Sequence, residues 1–367
     1  MLHRVKTNIR SLLNAIRLMK TRGFSLAAIL CWHLPMVTLL RTWRVIARPI
    51  NKHLLHHWAN YPRFTWFINK IEHTDRPRLF VIVMPFTLHY LLPCLALLQP
   101  HSQLILLSNG AHRWEKSLLQ KKFPTLRIFN LWTLPFTSIV HSEVINLLLK
   151  KHPGNFGLVD HDCYIFDENL IEQLVVNEDE ALLAYLQNIS PNVDLPYPLT
   201  HFLFFHTQPL RRIMRRYGID ASLYRKAPAS THQALISLGI TAGEFLKHYH
   251  NFYDTLHILI CMALAEGLNV RYLTSAQEHA VIHVGGTSLG THHTKGLYEL
   301  YIHSRFLELL NDPELNRRYA FLTAPLCSST EIMRRRSPYD PAWRQLPVVD
   351  ALIQQLRIKL ENWLESN

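Results

Sequence analysis

Two acids one residue apart, Asp160 and Asp162, end an apolar run in Asn155-Phe156-Gly157-Leu158-Val159-Asp160-His161-Asp162-Cys163-Tyr164-Ile165-Phe166. Along a strand, residues i and i+2 point the same way. The pair can therefore offer two carboxylates to one site at a strand end, with His161 turned to the opposite face. Carboxylates so placed repel each other and lose hydration. A divalent cation between them and a ligand phosphate would offset that cost. The pattern suggests metal-assisted handling of a nucleotide diphosphate. The same letters also fit a polar turn between two strands.

Other chemistry is thinner. The chain has 23 His, so close pairs arise by chance. His279 and His283 lie four apart and His292-His293 follow, but no Glu stands between the first two in HExxH fashion, and their surroundings read as an apolar, glycine-ended strand. A zinc hydrolase would place such a pair on a helix. His206, His248, His250 and His257 read as core or surface residues. Neither GxGxxG nor GxxxxGK[ST] occurs, which disfavours a dinucleotide fold and a P-loop.

The elements that must position the acids begin after Arg76-Pro77-Arg78. Strands are expected at Leu79–Met84, Gln103–Leu107, Leu126–Leu131 and Phe156–Val159, with helices at His89–Leu98, Ala111–Lys122 and Ser138–Lys151 between them. Such alternation predicts a mostly parallel sheet with helices on both faces. Ligands bind beyond the carboxyl ends of such strands, where Asp160 and Asp162 fall. Further on, the pattern predicts short helices at Asp167–Val175 and Leu182–Asn188, a loop at Asn192–Pro198, a strand at His201–His206 and a basic helix at Leu210–Tyr217. A long helix from Thr241 to Glu266 is expected to end at Gly267. A strand follows at Val270–Leu273. The tail reads as helices at Tyr298–Leu310 and Val348–Leu364, with a basic loop at Arg334–Pro338.

With 367 residues, 48% of them hydrophobic and 18% charged, the chain can bury a sizeable core. Its five cysteines (Cys31, Cys94, Cys163, Cys261, Cys327) are scattered and form no CxxC pair, as expected of reduced, mostly buried thiols in a reducing compartment. Charge is uneven. Residues 1–71 hold twelve Lys or Arg and no acid; setting these aside from the 39 basic residues leaves as many bases as the 27 acids. The whole net charge of +12 thus sits in one amino-terminal segment. Nucleic-acid binding would spread it over the folded body and is not expected.

The segment pairs that charge with apolar periodicity at Ile9, Leu12, Leu13, Ile16 and Met19, and with Trp32, Trp43, Trp58 and Trp66. This describes a helix on an anionic membrane surface. The uncharged run Phe24–Leu40 contains His33 and Pro35 and falls short of the ~20 apolar residues a spanning helix needs. A cleaved signal peptide is not expected. An organellar transit peptide, or helices packed on the body with solvated basic faces, are the other readings.

The chain resembles the GT-A class of nucleotide-sugar glycosyltransferases, near the inverting family 2. Three features in order carry the resemblance: strand–helix alternation leading into Asp160-His161-Asp162, which looks like the DxD motif; Tyr253-Asp254-Thr255 on a helix followed by Gly267-Leu268-Asn269-Val270; and His283-Val284-Gly285-Gly286-Thr287-Ser288, similar to the segment that closes the site. It spans roughly residues 78–290. The resemblance implies Mg²⁺ or Mn²⁺ held by Asp160, Asp162 and His283, the cation acting as a Lewis acid on the leaving diphosphate. Gly285 and Gly286 would let backbone approach the phosphates, and Ser108-Asn109-Gly110 either faces the nucleotide or is a plain turn. An inverting transfer needs a base; Asp254 is the first candidate, with Glu278 and His279 as alternatives. No acid follows the first strand until Glu115, unlike many family 2 members, so nucleobase recognition stays unassigned.

The expected organisation is a basic amphipathic membrane-associating segment (1–75), a GT-A-like catalytic domain (76–290) and a helical carboxy-terminal extension (291–367). The expected activity is metal-dependent transfer of a sugar from a nucleotide-diphosphate-sugar donor to a saccharide or lipid-linked acceptor, at the cytoplasmic face of a membrane, in surface polysaccharide or glycolipid synthesis. The alternatives are a non-catalytic membrane-docked partner on a degenerate α/β scaffold and a metal-dependent phosphohydrolase.

Overall fold

A computed structural model describes residues 13, 16–72, 74–185, 187–190, 193, 195–241, 244–247, 252–285, 287, 296–323, 326 and 328–366. Eleven strands are described: β1 Arg78–Val83, β2 Gln103–Ser108, β3 Arg127–Asn130, β4 Phe156–Val159, β5 Cys163–Ile165, β6 Glu180–Ala184, β7 Gln187–Ile189, β8 Pro196–Pro198, β9 Phe202–Phe205, β10 Asn269–Tyr272 and β11 Val281–His283. Seven form the central sheet in the order β10-β6-β9-β4-β1-β2-β3. β9 pairs antiparallel with both its neighbours; every other pairing in the sheet is parallel. The mostly parallel sheet flanked by helices is the architecture expected.

Strand composition explains the layers. β1 is buried throughout. Its Leu79, Val81 and Val83 enter one core and its Phe80 and Ile82 the other, because alternate side chains leave opposite faces of a sheet covered on both sides. The first core is closed by the Leu88–Leu98 helix and by the carboxy-terminal helices through Phe306, Tyr319 and Leu352. The second is closed by the His141–Lys151 and His257–Ala265 helices and by Phe64 and Ile68 from the amino-terminal part. At Gly157 in β4 a Cβ would collide with Leu79 Cδ2 and lie 3.1 Å from Phe204 Cδ2. A side chain there would push the Leu79 side chain out of its place in the core.

Three expectations about elements fail. Leu182–Asn188 is not helical: β6 occupies Glu180–Ala184 between β9 and β10. The long helix over Thr241–Glu266 is reduced to His257–Ala265. Leu256 just before it has φ +70°, which no helix continues through, so Tyr253-Asp254-Thr255 precede the helix rather than lie on it. Gly267, at φ +82°, does end it. Third, Asn192–Pro198 is not all loop, since β8 pairs with β7. Tyr249 of the expected long helix, and Ile9 and Leu12 of the first, lie outside the described residues. Cys94, Cys163 and Cys261 are free and buried, whereas Cys31 is free and exposed.

Before the sheet runs one continuous helix, Leu26–Asn69, 44 residues long. Its Ile29–His33 and Asn51–Asn60 stretches are wound with i→i+5 hydrogen bonds. That winding keeps Asn51, His56 and Asn60, spaced five and four apart, on one buried side. All three bond to the segment after β3. Asn51 Nδ2 donates to Thr137 Oγ1 at 2.7 Å while its Oδ1 accepts from Leu134 N at 2.9 Å. His56 Nε2 lies 2.9 Å from the Glu143 carbonyl. Asn60 Oδ1 accepts from Trp132 N at 2.7 Å.

Candidate active site

A cleft of about 360 Å³ opens at the carboxyl ends of β1, β2 and β4. It is lined by Met84 after β1, Asn109 after β2, residues 138–141 and Asp160–Asp162, with His283 and Thr287 arriving from much later in the chain. Asp160, Asp162 and His283 each offer a ligand atom, all within 4.8 Å of one another. His283 Nε2 is 3.4 Å from Asp162 Oδ1 and 3.9 Å from Asp160 Oδ2.

A two-stranded ladder produces this meeting. β11 pairs antiparallel with β5, His283 opposite Cys163, and Val284 N donates to the Asp162 carbonyl at 3.1 Å. Gly285 turns the chain at φ +69° and its N–H donates to Asp162 Oδ2 at 3.1 Å. Thr287 Oγ1 donates to the same oxygen at 2.6 Å. Gly285 thus contacts the site, though its bond goes to the acid itself; Gly286 lies outside the described residues.

The acids do not alternate as strand residues. β4 stops at Val159, and Cys163 N donates to the Asp160 carbonyl across a turn. His161 consequently does not point away: it lines the cleft, with Nε2 3.0 Å from Thr287 Oγ1. This corrects the expectation of an opposite-facing imidazole, because side-chain alternation ends with the strand.

Burial and the neighbouring Asp162 push Asp160 up to about 6. Burial also opposes the Asp162 charge, but His161, His283 and the Thr287 hydroxyl together hold its carboxyl below the usual range. For His283, burial works against protonation, and the bond to Asp162 outweighs it and raises its pKa. Two carboxylates and one imidazole at this spacing suit Mg²⁺ or Mn²⁺, the imidazole favouring Mn²⁺. Positive charge there would also relieve the Asp160–Asp162 repulsion that holds Asp160 high.

Two further histidines that sequence reasoning passed over stand beside these groups. His201 stacks on His283, centroids 4.1 Å apart and planes 8° apart, and burial drives it down to about 3. His141, first residue of its helix, puts Nε2 3.9 Å from Asp160 Oδ1, and burial lowers it to about 4 although Asp254 acts in the other direction. Neither His141 Nε2 nor His201 Nε2 has a hydrogen-bond partner among the described residues. No local pattern marks these two; only the folded arrangement brings them in, whereas Thr287 lies in the segment already singled out after His283.

Asn109 lines the cleft, but its amide is used in holding Ile139, donating to the carbonyl at 2.8 Å and accepting from the N–H at 2.7 Å. It fixes the 138–141 wall. Ser108 ends β2, buried, its carbonyl accepting from Leu131 N, and is not among the lining residues. Asp254 is also not among them; its carboxylate takes Lys247 Nζ at 2.7 Å and Thr255 N at 2.8 Å. Glu278 and His279 are at the end of the short Ser275–Glu278 helix, away from the lining.

Residues 56–210, less than half of the chain, match the model of the StrH glycosyltransferase N-terminal domain. That stretch builds β1 to β4, β6 and β9 and carries both acids, and it bears out the expectation of a glycosyltransferase enzyme. Among solved structures, the galactosyltransferase LgtC in complex with donor and acceptor sugar analogues is 11% identical, covering 73% of this chain and 99% of its own at TM-score 0.36. The bifunctional glycosyltransferase WbbM, in its apo form, is 10% identical over 72% of this chain and 53% of its own at 0.35. TarS of S. aureus, residues 1–349, is 12% identical over 78% and 89% at 0.33. These are distant resemblances of shape alone. No curated protein matches the chain.

Proposed function

We propose that the protein transfers a sugar from a nucleotide-diphosphate-sugar donor to a saccharide or lipid-linked acceptor, with inversion and with Mg²⁺ or Mn²⁺, at the cytoplasmic face of a membrane. The observation that carries the reading is the convergence of Asp160, Asp162 and His283 at the carboxyl end of β4, on a domain matched to a glycosyltransferase model. These three residues would hold the cation. When bound, it supplies positive charge against the diphosphate leaving group.

The chain's own groups supply the rest. Thr287 and Gly285 fix one oxygen of Asp162, leaving the other toward His283. Asn109 holds the cleft wall through Ile139. For the acceptor proton, Asp254 is turned to Lys247 and does not line the cleft. His141 does line it, with an unpaired Nε2 among the described residues and a low pKa that keeps it neutral. This reading gives the proton to His141, and the nearby Asp254 charge favours the imidazolium so formed.

Calorimetry with UDP, GDP and TDP, with and without Mn²⁺, tests the reading; absence of metal-dependent binding to all three rejects it. Asp162→Ala should abolish transfer with the circular dichroism unchanged. Retained turnover would remove the pair from the mechanism.

A further inference from the structure

The Leu26–Asn69 helix buries Phe64 and Ile68 near its end, but over residues 51–60 its inward side is polar. A surface helix of a globular protein turns its apolar stripe inward and its polar face to water. Here, over residues 47–60, the inward positions include Asn51, His56 and Asn60, between 0 and 2% exposed. Along the whole helix the outward positions include Leu39, Val45, Ile46, Leu54, Trp58 and Trp66, with Trp58 80% and Val45 73% exposed. Apolar side chains at such positions lose nothing on folding and gain nothing from the body of the protein. Exposed large apolar side chains in this number, interleaved with bases, mark an interaction surface.

Its partner is indicated by charge. Arg41 and Arg48 stand exposed within the same helix, and the first 71 residues hold no acid. Next to the helix, the loop after β3 adds exposed Trp132 and Phe136 (72% exposed). Trp43 Nε1 donates to the Pro135 carbonyl at 2.7 Å, and Arg63 sits over the Trp132 ring at 4.3 Å. Apolar residues, amphipathic tryptophans and bases without acids match the headgroup–acyl boundary of an anionic bilayer. The helix is also long and apolar enough to cross a membrane by length and composition. However, its buried Asn51, His56 and Asn60 are bonded to the body along one side. A bilayer core around the helix would have to strip those contacts away.

We propose that the outward face of the helix, together with Trp132 and Phe136, docks flat on an anionic lipid surface. The helix's polar side grips residues 132–143, and residues 138–141 of that segment line the cleft. Docking therefore holds the cleft wall at a short remove from the lipid, which favours an acceptor carried on a lipid. Only this last choice of acceptor rests on the functional reading above.

The test uses the full chain with vesicles of phosphatidylcholine alone or mixed with phosphatidylglycerol. Co-sedimentation should be at least about tenfold stronger on the anionic vesicles and should weaken as salt rises. Brominated acyl chains should quench tryptophan fluorescence. The combined variant Val45→Ser, Ile46→Ser, Leu54→Ser, Trp58→Ser should lose at least about tenfold in vesicle binding while Mn²⁺-dependent nucleotide binding in solution stays unchanged. The nucleotide measurement separates failure here from failure of the proposed function. Equal binding to both lipids, no quenching, or retention on membranes after alkaline carbonate extraction overturns surface docking. So does a dimer dissociated by the combined variant in a protein that never binds vesicles, which would give the face to a second copy.

Discussion

Replacing Asn51 by Leu tests the polar inward side of the helix most directly. Leucine is the better helix former, by at most about 0.5 kcal/mol, and a reader of the hydrophobic pattern would expect it to stabilise a buried helix position. The structure predicts the opposite. Asn51 accepts from Leu134 N and donates to Thr137 Oγ1 in a site 2% exposed. Leucine leaves the Leu134 N–H without its acceptor, at about 1–2 kcal/mol, and removes a second bond worth about 1 kcal/mol. Subtracting the propensity gain leaves a net loss of about 1.5–2.5 kcal/mol. The mirror substitution, Leu54→Asn, changes an outward residue 58% exposed and should cost under about 0.5 kcal/mol. Urea unfolding followed by circular dichroism, without lipid, measures both as midpoint shifts at constant slope. If Asn51→Leu is neutral or stabilising, or Leu54→Asn costs more than Asn51→Leu, the helix is seated the other way round and the docking argument loses its premise.

Cation affinity should fall with acid. Asp160 stands at about 6 in the free protein, so a cation must displace a proton below that pH. Calorimetry should find Mn²⁺ affinity nearly flat above about pH 7 and weakening roughly tenfold per unit below about pH 6, more steeply if His283 releases its proton as well; a flat profile down to about pH 5 removes Asp160 as a ligand. In the core, Gly157→Ala should destabilise by about 1–3 kcal/mol through overpacking against Leu79, measured by thermal or urea unfolding, and in a double-mutant cycle its cost should shrink when Leu79 is already Ala.

The parallel half of the fold was legible because its strands are unbroken apolar runs whose only stable home is a sheet covered on both faces. β6 was not. Glu180-Ala181-Leu182-Leu183-Ala184 has helix-forming composition, yet it lies between β9 and β10 with Glu180 accepting from Arg271 Nε at 2.7 Å; sheet context overrides local preference. The Thr241–Glu266 error has the same root. Apolar residues at helical spacing there serve a bent chain that crosses Leu256 with positive φ and pairs Tyr253 with Tyr224. At the site, the two acids and His283 could be read from residue type and order. His141 and His201 could not, because each contributes through a neighbour distant in sequence, and spacing carries no trace of that; Thr287 was in the segment singled out, but its bond to Asp162 was not foreseeable. The N-terminal segment declared its charge and apolar content openly, but which face each occupied depended on the i→i+5 winding of residues 51–60, which no heptad-like count anticipates.

The β5–β11 ladder gives the site a further property. Gly285 meets Asp162 at a separation of 123 residues, so the contact closes a loop that contains β6, β9 and β10. Closing so long a loop is among the slowest events a chain of this topology must complete. A cation bridging Asp160, Asp162 and His283 would bind the finished fold and not its precursors, adding to stability in proportion to its concentration. Saturating Mn²⁺ would then act as a latch on the last strand, slowing amide exchange in Val281–His283 while leaving β1 and β2 at their own pace. Loss of the cation would be felt first as a loosening of that final ladder.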